Sequence, residues 1–274
     1  MITRKLSIGI VGCGAIGTSL GKAINKDFSD NVRLVCLYDI VKNKSLQLAK
    51  ILKKKAVVCN SLDSLIVKSD LVIEAAYANS SLSIARKALI KGRDIIIMSV
   101  GGIVSHINQL NNLAKSKSAK VYIPSGAICG IDALKASSQK RIKRVTLITR
   151  KNPRSFMGSE YVRQKRVNLN KIRKDTVLFS GSAHEAIKIF PQNINVAATL
   201  SIAGIGEKRT QVEIIASPKL KRNIHEIYIE SDAGKISSRV ENLVHPENRK
   251  TSFLAVLSAI ATLRQLLEPV RVGT

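Results

Sequence analysis

The chain opens on an apolar run, Ile8 to Val11, that stops at Gly12-Cys13-Gly14-Ala15-Ile16-Gly17. Beyond it Ile16, Leu20, Ala23 and Ile24 recur at helical spacing, so the order is strand, glycine turn, helix. A second run, Val32 to Tyr38, reads as a strand ended by Asp39, and Leu46, Ala49 and Leu52 place a helix over Ser45 to Lys54. Strands follow at Ala56 to Cys59, Asp70 to Glu74, Asp94 to Ser99 and Val121 to Ile123, with a helix over Ser80 to Ile90. Strands alternating with helices at this period predict a parallel, doubly wound sheet, with its ligand crevice at the carboxyl ends of the strands. The loops Ala75 to Asn79 and Ser99 to Gly102 open at that edge.

After Pro124-Ser125-Gly126, which reads as a hinge, the pattern changes. Extended segments are predicted at Val145 to Thr149, Thr176 to Phe179, Gln211 to Ser217, Ile224 to Glu230 and Lys235 to Val240, with helices over Ala183 to Phe190 and Val196 to Ile205. Consecutive strands at the end imply a mixed or antiparallel sheet, hence a second α/β domain. Ser252 to Leu267 is a strongly apolar helix predicted to pack back on the first domain. The division is therefore 1–124 plus 251–274 for a nucleotide-binding Rossmann domain, and 125–250 for the second α/β domain. Residues 151–175 show the least pattern and read as the least structured stretch.

The totals narrow the class. Of 274 residues 45% are hydrophobic, enough for real cores, yet no apolar run approaches the ~18 residues of a membrane span. The basic start, Met-Ile-Thr-Arg-Lys-Leu, leads into a glycine-broken strand without a cleavage pattern, so the cytoplasm is the expected compartment. Cys13, Cys36, Cys59 and Cys129 lie far apart without CxxC spacing, which points to neither a disulfide framework nor a metal site. The charge is unusual: 45 Lys and Arg against 19 Asp and Glu. Lys135 to Lys174 holds fourteen Lys or Arg and a single acid, Glu160. A solvated basic face is the favoured reading of this block, since it holds few aromatics and no nucleic-acid module; contact with a polyanion is the other.

The glycine motif carries the first chemistry. Gly12 permits the tight turn, Gly14 lets backbone approach a pyrophosphate, and Gly17 lets helix and strand pack closely. The amides that open the helix, at Ala15 and Ile16, then face the phosphates with a favourable dipole. Asp39 stands where a carboxylate reaches a ribose 2′-hydroxyl and would repel a 2′-phosphate. That favours NAD over NADP, although Lys42 and Lys44 offset part of the repulsion. The bland alternative is a glycine turn followed by a solvated Asp.

Among the four histidines, His106 reads as a surface or capping residue, His184 as positional near a helix start, and His245 as a loop residue before Pro246. His225 differs. Alternation along Asn223-Ile224-His225-Glu226-Ile227 puts Asn223, His225 and Ile227 on one face, a polar pair opening an inward row. It reads as a general base or as a satisfied structural histidine. In Phe190 to Thr199, two Asn residues, Asn193 and Asn195, precede a helix of small residues as N-caps would, and such a helix start can also hold a carboxamide or carboxylate.

Taken together, Pro124-Ser125-Gly126-Ala127-Ile128, Gly181-Ser182-Ala183, Phe190 to Thr199, Asn223 to Ile227, Lys250-Thr251-Ser252 and Arg271-Val272-Gly273-Thr274 resemble the L-aspartate dehydrogenase family, in order along nearly the whole chain. The resemblance implies a homodimeric enzyme that converts L-aspartate to iminoaspartate with NAD or NADP and so supplies quinolinate and NAD synthesis. It implies that His225 is catalytic and that Ala127 and Asn195 contact the nicotinamide side; Ala75, at the crevice, joins the glycine loop among the expected cofactor contacts. Asn223 is assigned as the polar neighbour that orients ring or substrate. Lys250 and Thr251, with Ser125 and Asn195, are the expected holders of the substrate carboxylates. One departure concerns that loop: the family's Asn-Pro-Lys-Thr-Ser appears here as Asn248-Arg249-Lys250-Thr251-Ser252. The alternatives are a related homoserine- or semialdehyde-type dehydrogenase, and a non-catalytic nucleotide-binding protein that contacts polyanions through 135–174.

Overall fold

The computed structural model describes residues 4–52, 56–190, 194–246 and 248–273, the side chains of 248–250 excepted. The chain forms two compact units, Met1–Pro124 with Val256–Arg271, and Ser125–Ala255 with Val272–Thr274.

The first unit alternates strand and helix: β1 (Leu6–Val11), α1 (Ala15–Asp27), β2 (Val32–Tyr38), α2 (Lys42–Ile51), β3 (Val57–Val58), α3 (Leu62–Lys68), β4 (Leu71–Glu74), α4 (Ala78–Ile90), β5 (Asp94–Ile97), α5 (Ile107–Ser116) and β6 (Val121–Tyr122). The strands lie in the order β3-β2-β1-β4-β5-β6, every pair parallel. β1 and β4 are buried along almost their whole length, as central strands covered on both faces must be, which is why they read as unbroken apolar runs. The strand order reverses between β1 and β4, the switch point at which the Gly12 and Ala75 loops diverge. This is the predicted Rossmann arrangement.

The second unit holds α6 (Ile131–Ser137), β7 (Ile142–Lys151), α7 (Glu160–Gln164), β8 (Thr176–Ser182), α8 (Ala183–Ile189), α9 (Asn195–Ala203), β9 (Gln211–Ala216), β10 (Asn223–Ser231), β11 (Gly234–Asn242) and the short hairpin β12 (Val244–His245) with β13 (Asn248–Ser252). Its main sheet runs β11-β10-β7-β9-β8, with β7 and β9 parallel and the other pairs antiparallel, the mixed sheet expected. α10 (Phe253–Leu267) then returns the chain to the first unit, where Val256, Ala259 and Leu263 are buried in the cluster that contains Ile8, Leu20 and Leu34.

Several expectations need correction. α2 starts at Lys42 rather than Ser45 and ends at Ile51, and residues 53–55 lie outside the described residues. The third strand is only Val57–Val58. α3, α5 and α6 were not foreseen; α3 has seven residues, too short to display a period, although Ser61 caps it by accepting from the Ser64 amide at 3.1 Å. β7 extends to Lys151, two residues past the predicted end. The stretch 151–175 is ordered rather than loose: 3-10 turns at Pro153–Phe156 and Leu169–Lys171 flank α7. Phe156 and Val162 are buried there, and Phe156 and Tyr161 pack edge-on against Phe190. His245 sits buried in β12 with its ring edge-on to Phe253, not in a loop. Among the described residues no helix is long and apolar enough to cross a membrane, and no His/Cys/Asp/Glu cluster could hold a metal.

Candidate active site

In the first unit the glycine loop is shaped by what surrounds it. Gly12 has φ +92°, a conformation only glycine adopts without strain, and a Cβ there would strike the Ala75 backbone. A Cβ on Gly17 would run into the Gly12 carbonyl oxygen. Gly14 is different: nothing lies within 4 Å of its would-be Cβ, so its backbone faces open space. Gly14 is also the N-cap of α1, whose first turn has neither a side-chain cap nor an acid. The amides from Ala15 and Ile16 onward therefore keep a positive helix end, a fit for an anionic group such as a pyrophosphate.

Asp39 does more than end β2. Its Oδ2 accepts from the Cys13 amide at 2.8 Å and its Oδ1 from the Val41 amide at 2.8 Å, so the carboxylate ties the glycine loop to the end of β2. Burial, and then the Asp39 charge, push the Cys13 thiol up to about 12, so it stays an inert thiol. At the end of β4, Glu74 plays a matching part that the sequence did not disclose. Fully buried, it accepts from the amides of Ala76 at 2.8 Å and Ser99 at 3.0 Å. Ser99 in turn donates from Oγ to the Ala76 carbonyl at 2.8 Å. The loops after β4 and β5 are thus laced together, and Ala75 is held against Gly12. Burial raises the Glu74 pKa above the ordinary carboxylate value, against the opposing pull of these amides. Glu74→Ala is expected to cost ~2–5 kcal/mol, because two amides lose their acceptor. A fall in melting temperature, together with weaker nucleotide binding, checks this.

In the second unit the inward face of the sheet changes character along its length. Val145, Leu147, Ile227 and Ile229 are buried in the apolar core. Further along the same strands the row becomes Thr149 and Lys151 on β7, Asn223 and His225 on β10, and Asn242 on β11, all buried. The register explains the grouping: His225 pairs with Thr149 on one side and Val240 on the other, and Asn223 pairs with Asn242. Thr149 Oγ1 lies 3.0 Å from His225 Nδ1. When Nδ1 carries the proton and donates to Thr149, Nε2 is left as an acceptor. Burial, and then the Lys151 charge, pull the His225 pKa down to about 3, so the imidazole is neutral at physiological pH. Burial likewise lowers the Lys151 ammonium to about 8.

Asn242 donates from Nδ2 to the Ala127 carbonyl at 2.9 Å, fastening the Ser125–Ile128 segment to the polar end of the sheet. Its Oδ1 is buried without a hydrogen-bond partner among the described residues. Thr149, Lys151 and Asn242 were not singled out by sequence. Extending the alternation of Val145 and Leu147 to 151 would have found the first two; Asn242 shows only through its pairing with Asn223.

The remaining expected residues fall as follows. Ser125 and Gly126 are half-buried, and Gly126 has φ +72°. Asn195 is not an N-cap: it is the first residue of α9, exposed, and Ile194 occupies the cap position with no side-chain cap. Asn193 lies outside the described residues. Thr251 is half-buried in β13, while the Lys250 side chain is outside the described part. His184 is positional, as expected, with Nδ1 3.1 Å from Glu207 Oε1. His106 precedes α5 but makes no side-chain cap, and its Nδ1 is buried without a hydrogen-bond partner among the described residues. In the basic block Arg150 is paired to Asp175 and Glu226, Lys143 to Asp232 and Arg163 to Glu160.

Comparison with known proteins agrees with both halves. Residues 132–266 match the family profile described as aspartate dehydrogenase, C-terminal, and residues 12–124 match that described as homoserine dehydrogenase, NAD binding domain. The chain is 48% identical to the L-aspartate dehydrogenase of Methanosarcina acetivorans over 271 residues, covering 98% of this chain and all of that protein. It is 39% identical to that of Methanocaldococcus jannaschii over 274 residues, again 98% of this chain and the whole relative. The crystal structure of aspartate dehydrogenase from Thermotoga maritima superposes with a TM-score of 0.78 at 26% identity, over 98% of this chain and all of that one. With the glycine loop, the strand order and the inward-facing histidine already in place, this full-length similarity has one meaning: the chain belongs to the L-aspartate dehydrogenase family.

Proposed function

We propose that the protein catalyses the oxidative deamination of L-aspartate to iminoaspartate, which water then converts to oxaloacetate and ammonia. The observation that carries this reading is the buried His225–Thr149 pair at the polar end of an otherwise apolar sheet face, in a chain with full-length L-aspartate dehydrogenase relatives. The first unit is the nucleotide-binding half, built around Gly12, Gly14, Gly17 and Asp39; the second supplies the acid–base chemistry.

The nicotinamide of the bound cofactor supplies the hydride acceptor. The protein's own part is to orient the substrate and to move a proton. His225, neutral and held by Thr149, takes a proton from the substrate ammonium at Nε2, so that nitrogen can donate its lone pair as the Cα–H bond breaks. The same imidazole then assists addition of water to the imine. Asn223, next on the same row, orients ring or substrate, and Ala127 and Asn195 serve the nicotinamide side. Thr251, Lys250 and Ser125 serve the substrate carboxylates. Asp39 disfavours a 2′-phosphate, so NAD is the preferred cofactor, with NADP the lesser one.

By the same family likeness the enzyme works as a homodimer in the cytoplasm, and its product supplies quinolinate for NAD synthesis. The basic block 135–174, the buried Lys151 apart, is a solvated face rather than a polyanion site, consistent with the ion pairs that occupy several of its members. The test is a turnover assay, read by absorbance of the reduced nicotinamide, with L-aspartate, homoserine and aspartate semialdehyde, each with NAD and with NADP. Aspartate should be the best substrate, and NAD should give the higher kcat/KM. Preferential oxidation of homoserine would overturn the assignment of aspartate as substrate.

A further inference from the structure

Among the described residues only two of all the Lys, Arg, Asp and Glu side chains are buried: Glu74, whose bonds hold the loops of the first unit, and Lys151. Lys151 ends β7, two residues beyond Thr149, and strand alternation puts it on the same inward face. The last paired positions of β7 and β10 are Arg150 with Ile224, so the next residues outward are Lys151 and Asn223. On its other side Lys151 pairs with Ala216 of β9. Lys151 is close enough to His225 for its charge to act on the imidazole.

An ammonium placed inside a domain costs several kcal/mol and is kept where the charge has work to do. Among the described residues, its neighbours on this face, Thr149, Asn223, His225 and Asn242, carry no negative charge. A dicarboxylate substrate brings the complementary charge, and a carboxylate meeting a desolvated ammonium forms a strong, short hydrogen bond.

From this geometry we infer that Lys151 binds a carboxylate of the dicarboxylate substrate and thereby sets its α-amino group against His225. The inference rests on the reading of His225 as the proton acceptor and adds the group that brings the substrate to it. It also gives that base a way to work. Pairing of the ammonium with a carboxylate cancels the repulsion that Lys151 exerts on a protonated imidazole, so proton uptake becomes easier once substrate is seated.

The test compares Lys151→Met and Lys151→Arg with the unmodified enzyme. It reads KM and kcat for L-aspartate, the inhibition constant of succinate (a dicarboxylate with no amino group to oxidise), nucleotide affinity and thermal unfolding. Lys151→Met should raise both the aspartate KM and the succinate constant by ~10–100-fold, the loss expected for one charged hydrogen bond. It should leave nucleotide affinity unchanged and lower kcat less than KM rises. Lys151→Arg should restore most of the succinate affinity. A succinate constant within about twofold of the unmodified enzyme in Lys151→Met would overturn the assignment.

Should Lys151→Met fail to fold, the unmodified enzyme still decides the matter. Its succinate affinity should weaken above about pH 8, where Lys151 loses its charge. His225 is already neutral there, and Thr149, Asn223 and Asn242 do not titrate. Flat succinate affinity from pH 7 to 10 would refute the role. His225→Gln separates the two readings: it should lower turnover by ~100-fold or more yet keep succinate affinity, so a failure at His225 leaves the Lys151 result legible.

Discussion

His225→Gln should lower kcat for L-aspartate by ~10²–10⁴-fold, the range a positioned general base supplies, while NAD affinity stays within about twofold. Glutamine fills much of the same volume and can still bond Thr149, so the loss reports on proton transfer rather than on packing. The same substitution should change the response to acid. The unfolded chain takes up a proton at this position near ~6.5, whereas the folded protein, which buries the ring, resists until about 3. Between those values the unfolded state binds more protons, so the folded state loses stability as pH falls. The slope is up to roughly 1.4 kcal/mol per pH unit, fully present only well below ~6.5. Removing the imidazole removes that slope. His225→Gln should therefore be the more acid-resistant protein while being the poorer enzyme, and denaturant midpoints from pH 4 to 7 measure the difference. Retention of more than a tenth of the turnover would end the general-base assignment.

The glycine loop supplies the second large effect, as a contrast between two alanine substitutions. Gly17→Ala places a methyl against the Gly12 carbonyl oxygen, which is fixed backbone and cannot swing aside. The loop must open, and the expected result is a drop in thermal stability together with loss of NAD affinity by ~100-fold or more. Gly14→Ala meets nothing within 4 Å, and its φ of −75° is one that alanine adopts freely. It should fold and melt like the unmodified protein, yet bind NAD ~10–100-fold more weakly, because the methyl occupies the space through which a pyrophosphate approaches. Equal NAD affinity in Gly14→Ala and the unmodified protein would mean that the phosphates sit elsewhere.

The two halves of the molecule differed in how openly the sequence displayed them. A parallel strand buried on both faces must be a nearly unbroken apolar run, so β1 and β4 were legible, as was the glycine turn between β1 and α1. Of the three seven-residue helices, α8 was legible, but α3 and α6 were not and are fixed by packing rather than by period. The site was half legible. His225 and Asn223 could be placed on one face because alternation along a single strand is a local rule. Thr149 and Asn242 act through register between strands, which no local pattern records. Lys151 was masked by composition, since one buried lysine looks like any other inside a stretch with fourteen Lys or Arg. Asn195 looked like a cap because Asn is a good one, but the helix begins one residue earlier than that role requires.

The route of the chain has a consequence for how the molecule is made. The core around Ile8, Leu20 and Leu34 is completed by Val256, Ala259 and Leu263, which arrive only after the whole second unit has been synthesised. On the ribosome the first unit therefore emerges early but waits, with part of its apolar surface uncovered, for the closing helix. A transcript cut after codon 255 should yield a sticky, chaperone-bound product even though every residue of the nucleotide loop is present.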